Sequence, residues 1–151
     1  MEAATRTLEA STELDLPPRS WAAITDAVSR IAEHLFPAQT VALRLVDDAE
    51  MRRLNKAFRN VDDSTDVLAF PLAEGGMHGH AGDIALCWPA ALRQAGANGN
   101  TPEAEATALA AHGLLHLAGL DHSDEPSQDE MDRRTRELCH LAQIEVVHVG
   151  H

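Results

Sequence analysis

The run from Thr101 to Leu117 constrains this chain more than any other feature, because it is a helix with almost no polar side. Thr101-Pro102-Glu103 carries the marks of a helix start: an N-cap hydroxyl, a proline in the first turn and an acid near the positive end of the dipole. The Ala- and Leu-rich residues that follow are apolar nearly all round, so the helix must be packed from several sides at once. Gly119 is well placed to end it in a left-handed turn.

That helix runs into His112-Gly113-Leu114-Leu115-His116-Leu117-Ala118-Gly119-Leu120-Asp121-His122. His112 and His116 are four apart, so both imidazoles leave one face about 6 Å apart along the axis. A metal ion can bridge that gap, and a turn at Gly119 lets His122 come back as a third ligand. A buried apolar helix has little other use for three imidazoles. Three histidines leave one tetrahedral position open, the pattern of a catalytic site and not a closed structural one. One zinc ion is the first choice on ligand type, although imidazole also suits nickel, copper and iron.

The spacing H-x3-H-x2-G-x2-H is shared with metzincin proteases, but those enzymes place a glutamate directly after the first histidine as general base. Here that residue is Gly113, which moves no proton, so peptide hydrolysis is disfavoured.

The remaining elements surround this helix. After a loose start of about fifteen residues, Trp21, Ile24, Val28, Ile31 and Leu35 line one face of a helix that Pro37 stops. Thr40 to Val46 alternates as a strand, and Asp47 or Asp48 caps a short helix running to about Arg59. Met51, Leu54 and Phe58 share its apolar face, with Arg52, Lys56 and Arg59 roughly opposite. Thr65 to Leu72 reads as a strand whose Pro71 argues for an edge or a strand end. A glycine- and histidine-rich turn leads into Gly82 to Trp88, so the pair forms an antiparallel hairpin. A short helix from Pro89 to about Ala95 follows, and Ser127 with Glu130 has capping-box spacing for a last helix. The result is a single α+β domain over residues 1–151.

Composition narrows the partners. With 24 acids against 12 bases the net charge is −12, a poor match to a protein that coats nucleic acid. The bases are clustered, however: Arg52, Arg53, Lys56, Arg59, Arg133, Arg134 and Arg136 are seven of the twelve. Any polyanion contact must be local. Without Tyr, and with two Trp and three Phe, no platform for stacking bases is visible. No stretch approaches the roughly 20 apolar residues of a membrane span. Two cysteines and the lack of a signal-peptide pattern lead to a cytoplasmic expectation.

Three blocks together resemble one family. His112 to His122 is similar to the H-G-x-L-H-L-x-G-[YF]-D-H motif of the YbeY family, bacterial rRNA maturation factors regarded as metal-dependent endoribonucleases. Leu54-Asn55-Lys56-Ala57-Phe58-Arg59 and Thr65-Asp66-Val67-Leu68-Ala69-Phe70-Pro71 resemble the family's L-N-x-x-[YF]-R and T-D-V-L-S-F-P. Gly82-Asp83-Ile84-Ala85-Leu86 is like its G-D-I-x-[IL] strand. Order and spacing match over about residues 40 to 142.

The resemblance implies a zincin-like fold, a small mixed sheet packed with helices around the metal-bearing one. It implies that His112, His116 and His122 hold zinc and that Arg59, by periodicity alone a solvated arginine at a helix end, serves RNA cleavage. It also implies a role in maturing the small-subunit rRNA 3′ end and in ribosome quality control, with RNA, the small subunit and assembly factors as partners and neither DNA nor membrane. The chain departs from the family at Asn60-Val61-Asp62-Asp63-Ser64, where lysines are usual, and at Leu120 and Ala69.

The general base is not obvious. Asp121 and Asp83 are candidates, with Asp121 equally suited to orienting an imidazole. Arg52, Arg53 and Lys56 are a solvent face with RNA contact as the sharper reading, and His78 and His80 belong to an exposed hairpin loop. Two functions stay open: a single-metal endoribonuclease, and a ribosome-assembly factor whose zinc is mainly structural. A metalloprotease is a distant third.

Overall fold

The computed structural model describes residues 7–71, 79–119 and 125–149. The described residues form four strands and five helices, in the order β1 (Leu8–Thr12), α1 (Pro18–Leu35), β2 (Thr40–Val46), α2 (Asp48–Arg59), β3 (Val67–Pro71), β4 (His80–Cys87), α3 (Trp88–Asn98), α4 (Pro102–Leu117) and α5 (Glu125–Leu141). The sheet order is β1-β2-β4-β3. The first three strands are parallel and β3 runs antiparallel to β4, so the fold is α+β with a small mixed sheet.

The two faces of the sheet are covered differently. Val41, Leu43 and Leu45 of β2 and Ile84 and Leu86 of β4 meet Ile24, Val28 and Ile31 of α1 and Leu114 of α4 in the main core. On the opposite face, Leu68, Ala85 and Cys87 meet Met51 of α2. Helix α4 is buried almost all round, from Ala104 to Leu115, and packs against α1, α3, α5 and the β3–β4 hairpin. This is the many-sided burial its apolar sequence demands.

Local chemistry sets the ends. Thr101 accepts the Ala104 N–H, and Asp47 accepts the Glu50 N–H, each satisfying an orphan donor of the first helical turn. Gly119 takes φ +97°, the left-handed conformation expected for the stop of α4.

Three expectations change. Contrary to a loose start, Leu8–Thr12 forms β1 beside β2, because an edge strand with one buried apolar residue shows no alternation to read. Helix α5 begins at Glu125, which puts Ser127 inside the helix and not at its cap. The Glu130 carboxylate is instead bound by Arg133 and Arg134. Phe58 leaves the core: along the stripe of α2, Met51 is fully buried, but Phe58 is 53% exposed.

Candidate active site

His112 and His116 stand on consecutive turns at the C-terminal end of α4, and their Nε2 atoms are 3.2 Å apart. Tetrahedral zinc bound at the usual 2.0–2.1 Å separates two nitrogens by about 3.3–3.4 Å. The pair therefore fits a metal of that size, with the ring centroids 4.9 Å apart and the planes inclined at 63°. His122 and Asp121, like His78, lie outside the described residues.

The histidines open onto a cleft of about 550 Å³. One wall is α4, through His112, Gly113 and His116. The floor is the edge strand β3 and its lead-in, from Thr65 to Ala69 with Pro71 beyond. The far wall is the last turn of α2, through Phe58 and Arg59. The cleft thus wraps round the open edge of the sheet, with α4 on one side and α2 on the other.

Arg59 owes its position to how α2 ends. Asn60 adopts φ 60°, and its N–H donates to Lys56 O at 3.0 Å. Val61 N–H donates to Asn55 O at 3.3 Å, folding the chain back on the helix. The Asn55 side chain, buried beneath this turn, donates from Nδ2 to Asp63 O at 2.9 Å. Nothing in the residue type of Asn55 marks it for a role, and only its place in the L-N-x-x-[YF]-R block points to it.

Among the described residues, charge is distributed so that Arg59 is left without a carboxylate partner. Arg52 donates from Nε to Asp62 at 2.8 Å, and Lys56 lies 4.0 Å from the same carboxylate. Arg53 binds Glu50 at 2.6 Å, and it is chiefly this pairing, with Arg44 adding to it, that lowers the Glu50 pKa to about 2. Arg52, Arg53 and Lys56 do not line the cleft. Arg59 does, and has no hydrogen-bond or ion-pair partner among the described residues. Asp62, in the loop after Arg59, therefore neutralises Arg52 and Lys56 and makes no ion pair with Arg59 itself.

Asp83 is not brought to the cleft. Its Oδ1 lies 2.8 Å from His80 Nε2, while His80 Nδ1 meets Thr40 Oγ1 at 2.7 Å. The carboxylate that does line the cleft is Asp66, which sits in the T-D-V-L block. Its Oδ1 accepts the Val67 N–H at 2.7 Å and its Oδ2 accepts Gln94 Nε2 at 3.2 Å, so its orientation is fixed from two sides.

The profile of a family described as Endoribonuclease YbeY matches residues 8–143. A protein named Endoribonuclease YbeY from Pelotomaculum thermopropionicum is 39% identical over 128 residues, covering 77% of this chain and 84% of that one. One of the same name from Gloeobacter violaceus is 50% identical over 99 residues, covering 60% of this chain and 50% of its own. A solution structure of a Thermotoga maritima protein superposes with a TM-score of 0.63 at 27% identity, covering 89% of this chain and 88% of the other.

Proposed function

Because the chain belongs to the YbeY endoribonuclease family, we propose that it cleaves RNA phosphodiesters internally, in the cleft between α2 and α4. The observation that carries this reading is Arg59, which lines the same cleft as His112 and His116 and has no charge partner among the described residues. A guanidinium fork is suited to the equatorial oxygens of a phosphoryl group, on which charge develops during cleavage.

His112 and His116, with His122 as the third ligand the family resemblance implies, would hold one zinc ion. Bound there, it would supply Lewis acidity toward a phosphoryl oxygen and lower the pKa of a water. Arg59 meanwhile binds and orients the scissile phosphate from the opposite wall, and Asn55 holds the turn from which Arg59 projects. The substrate in this reading is single-stranded rRNA, whose phosphates and bases an edge-strand cleft can reach, unlike the deep groove of an A-form duplex. The setting is cytoplasmic maturation of the small-subunit rRNA 3′ end and ribosome quality control, with the small subunit and assembly factors as partners. No described helix is long and apolar enough to cross a membrane.

The net charge of −12 favours a second reading, an assembly factor with a mainly structural metal that acts only on the ribosome. Single-turnover cleavage of a single-stranded rRNA 3′-end fragment separates the two. Wild type, Arg59→Ala and His116→Ala are compared at verified metal content. Cleavage by wild type, and its loss in a folded, zinc-loaded Arg59→Ala, supports the endoribonuclease. Equal background in all three supports the assembly factor.

A further inference from the structure

Phe58 is the last apolar residue of the α2 stripe, and the stripe outruns the core. Met51 and Leu54 pack against Leu68 and its neighbours, and Phe58 reaches only the outermost strand, β3. The ring is 53% exposed and lines the cleft beside Arg59. A single exposed apolar side chain is ordinary on a protein surface. This one differs because it is held: its centroid lies 4.3 Å from that of Phe70 on β3, with the planes inclined at 61°. The edge-type contact braces the ring against the strand that floors the cleft.

A nucleotide carries a phosphate and a flat apolar base one sugar apart. Consecutive residues at the end of α2 offer a cation and an aromatic ring to one cleft. We propose that Phe58 is a base-stacking residue, taking the unpaired base beside the phosphate that Arg59 binds. This rests on the reading of the cleft as an RNA site. Stacking is open to every base, so Phe58 supplies a preference for unpaired nucleotides and none for sequence. A base held in a duplex is already stacked and paired and is not available to it.

The test compares zinc-loaded wild type, Phe58→Ala, Phe58→Leu and Phe58→Trp on a short fluorescent single-stranded RNA. Equilibrium binding is read by anisotropy and cleavage by single-turnover kinetics. A parallel set of RNAs carries one abasic residue at each position around the cut. Phe58→Ala and Phe58→Leu should weaken binding and raise KM by roughly fivefold to a hundredfold, with the rate at saturation much less affected. Phe58→Trp should restore both. On the RNA lacking the stacked base, wild type should fall to the level of Phe58→Ala, and the substitution should cost nothing more. Binding by Phe58→Leu equal to wild type, or a penalty that persists on every abasic RNA, overturns the proposal. If wild type binds but does not cut, the cleavage reading fails, and the binding arm alone still decides for or against stacking.

Discussion

Gly113 faces Ile84 so closely that a Cβ on it would stand 2.9 Å from the Ile84 Cδ1 atom and 3.1 Å from Val67 Cγ2. Although Gly113 lines the cleft, a side chain there would run into Ile84 and Val67 of the sheet and would not stand free beside the histidines. A proton carrier at this position has nowhere to go. Gly113→Ala should overpack the core at about 1–3 kcal/mol, more than the ~1 kcal/mol that alanine adds in helix propensity. Gly113→Glu should be worse, since it also buries an unpaired carboxylate. Urea denaturation should rank wild type above Gly113→Ala above Gly113→Glu, and a peptidase assay should find no activity in the last. A stable, proteolytic Gly113→Glu would show that helix α4 does not sit against β4 as described.

The histidine pair makes a prediction about metal independent of catalysis. Wild type should bind one equivalent of zinc by elemental analysis, and His116→Ala should bind none after dialysis. Free zinc at a hundred times its dissociation constant stabilises a folded site by about 2.7 kcal/mol, which should appear as a raised Tm in wild type alone. An equal rise in His116→Ala would place the ion elsewhere.

Asn55 is expected to matter twice. Its Nδ2 satisfies Asp63 O from a buried position, so Asn55→Ala should cost about 1–3 kcal/mol by leaving that carbonyl without its donor. Because the same turn carries Arg59, the variant should also lose cleavage at temperatures where it is fully folded. Denaturation and single-turnover assays on one sample test both. A destabilised variant with wild-type cleavage would confine Asn55 to stability.

Alkaline pH should probe the packing of α5. Burial, with the charge of Glu105 adding to it, pushes the Cys139 thiol up to about 12. The folded pKa lies above the unfolded one, so the folded chain keeps a proton that the unfolded chain releases. Stability from this group is whole below the ordinary value of 9.0 and is lost progressively as pH rises toward about 12. Cys139→Ala should flatten that decline by one proton in stability measured against pH. Cys87, also raised by burial, keeps its own share. An unchanged slope would mean that Cys139 ionises freely in the folded protein.

How much of this was legible in the sequence depends on range. The histidine pair was, because both imidazoles lie on one helix and helical geometry alone brings them together. So was the cap at Thr101, whose hydrogen bond reaches three residues, while for α2 the sequence left Asp47 and Asp48 open and Asp47 is the one that accepts. The meeting of Arg59 with His112 is not local: it depends on α2 and α4 packing on opposite faces of one sheet edge, and only the family resemblance anticipated a role for Arg59. Phe58 was misplaced for a related reason. Periodicity gives the direction of a helical stripe, but not where the surface it packs on comes to an end. Nor does sequence say that Asp62, in the loop where the family usually has lysines, is taken up by Arg52 and Lys56.

Strand β3 lies at the end of the sheet order and spans five residues, closing on Pro71. An outer strand is ordinarily a hazard, since its open backbone invites pairing with another copy of the chain. Covering it would remove the hazard and the cleft together. Brevity and a proline without an N–H leave little ladder for a second copy to build on. Among the described residues, the sheet thus leaves its β3 edge unpaired at small risk of self-association.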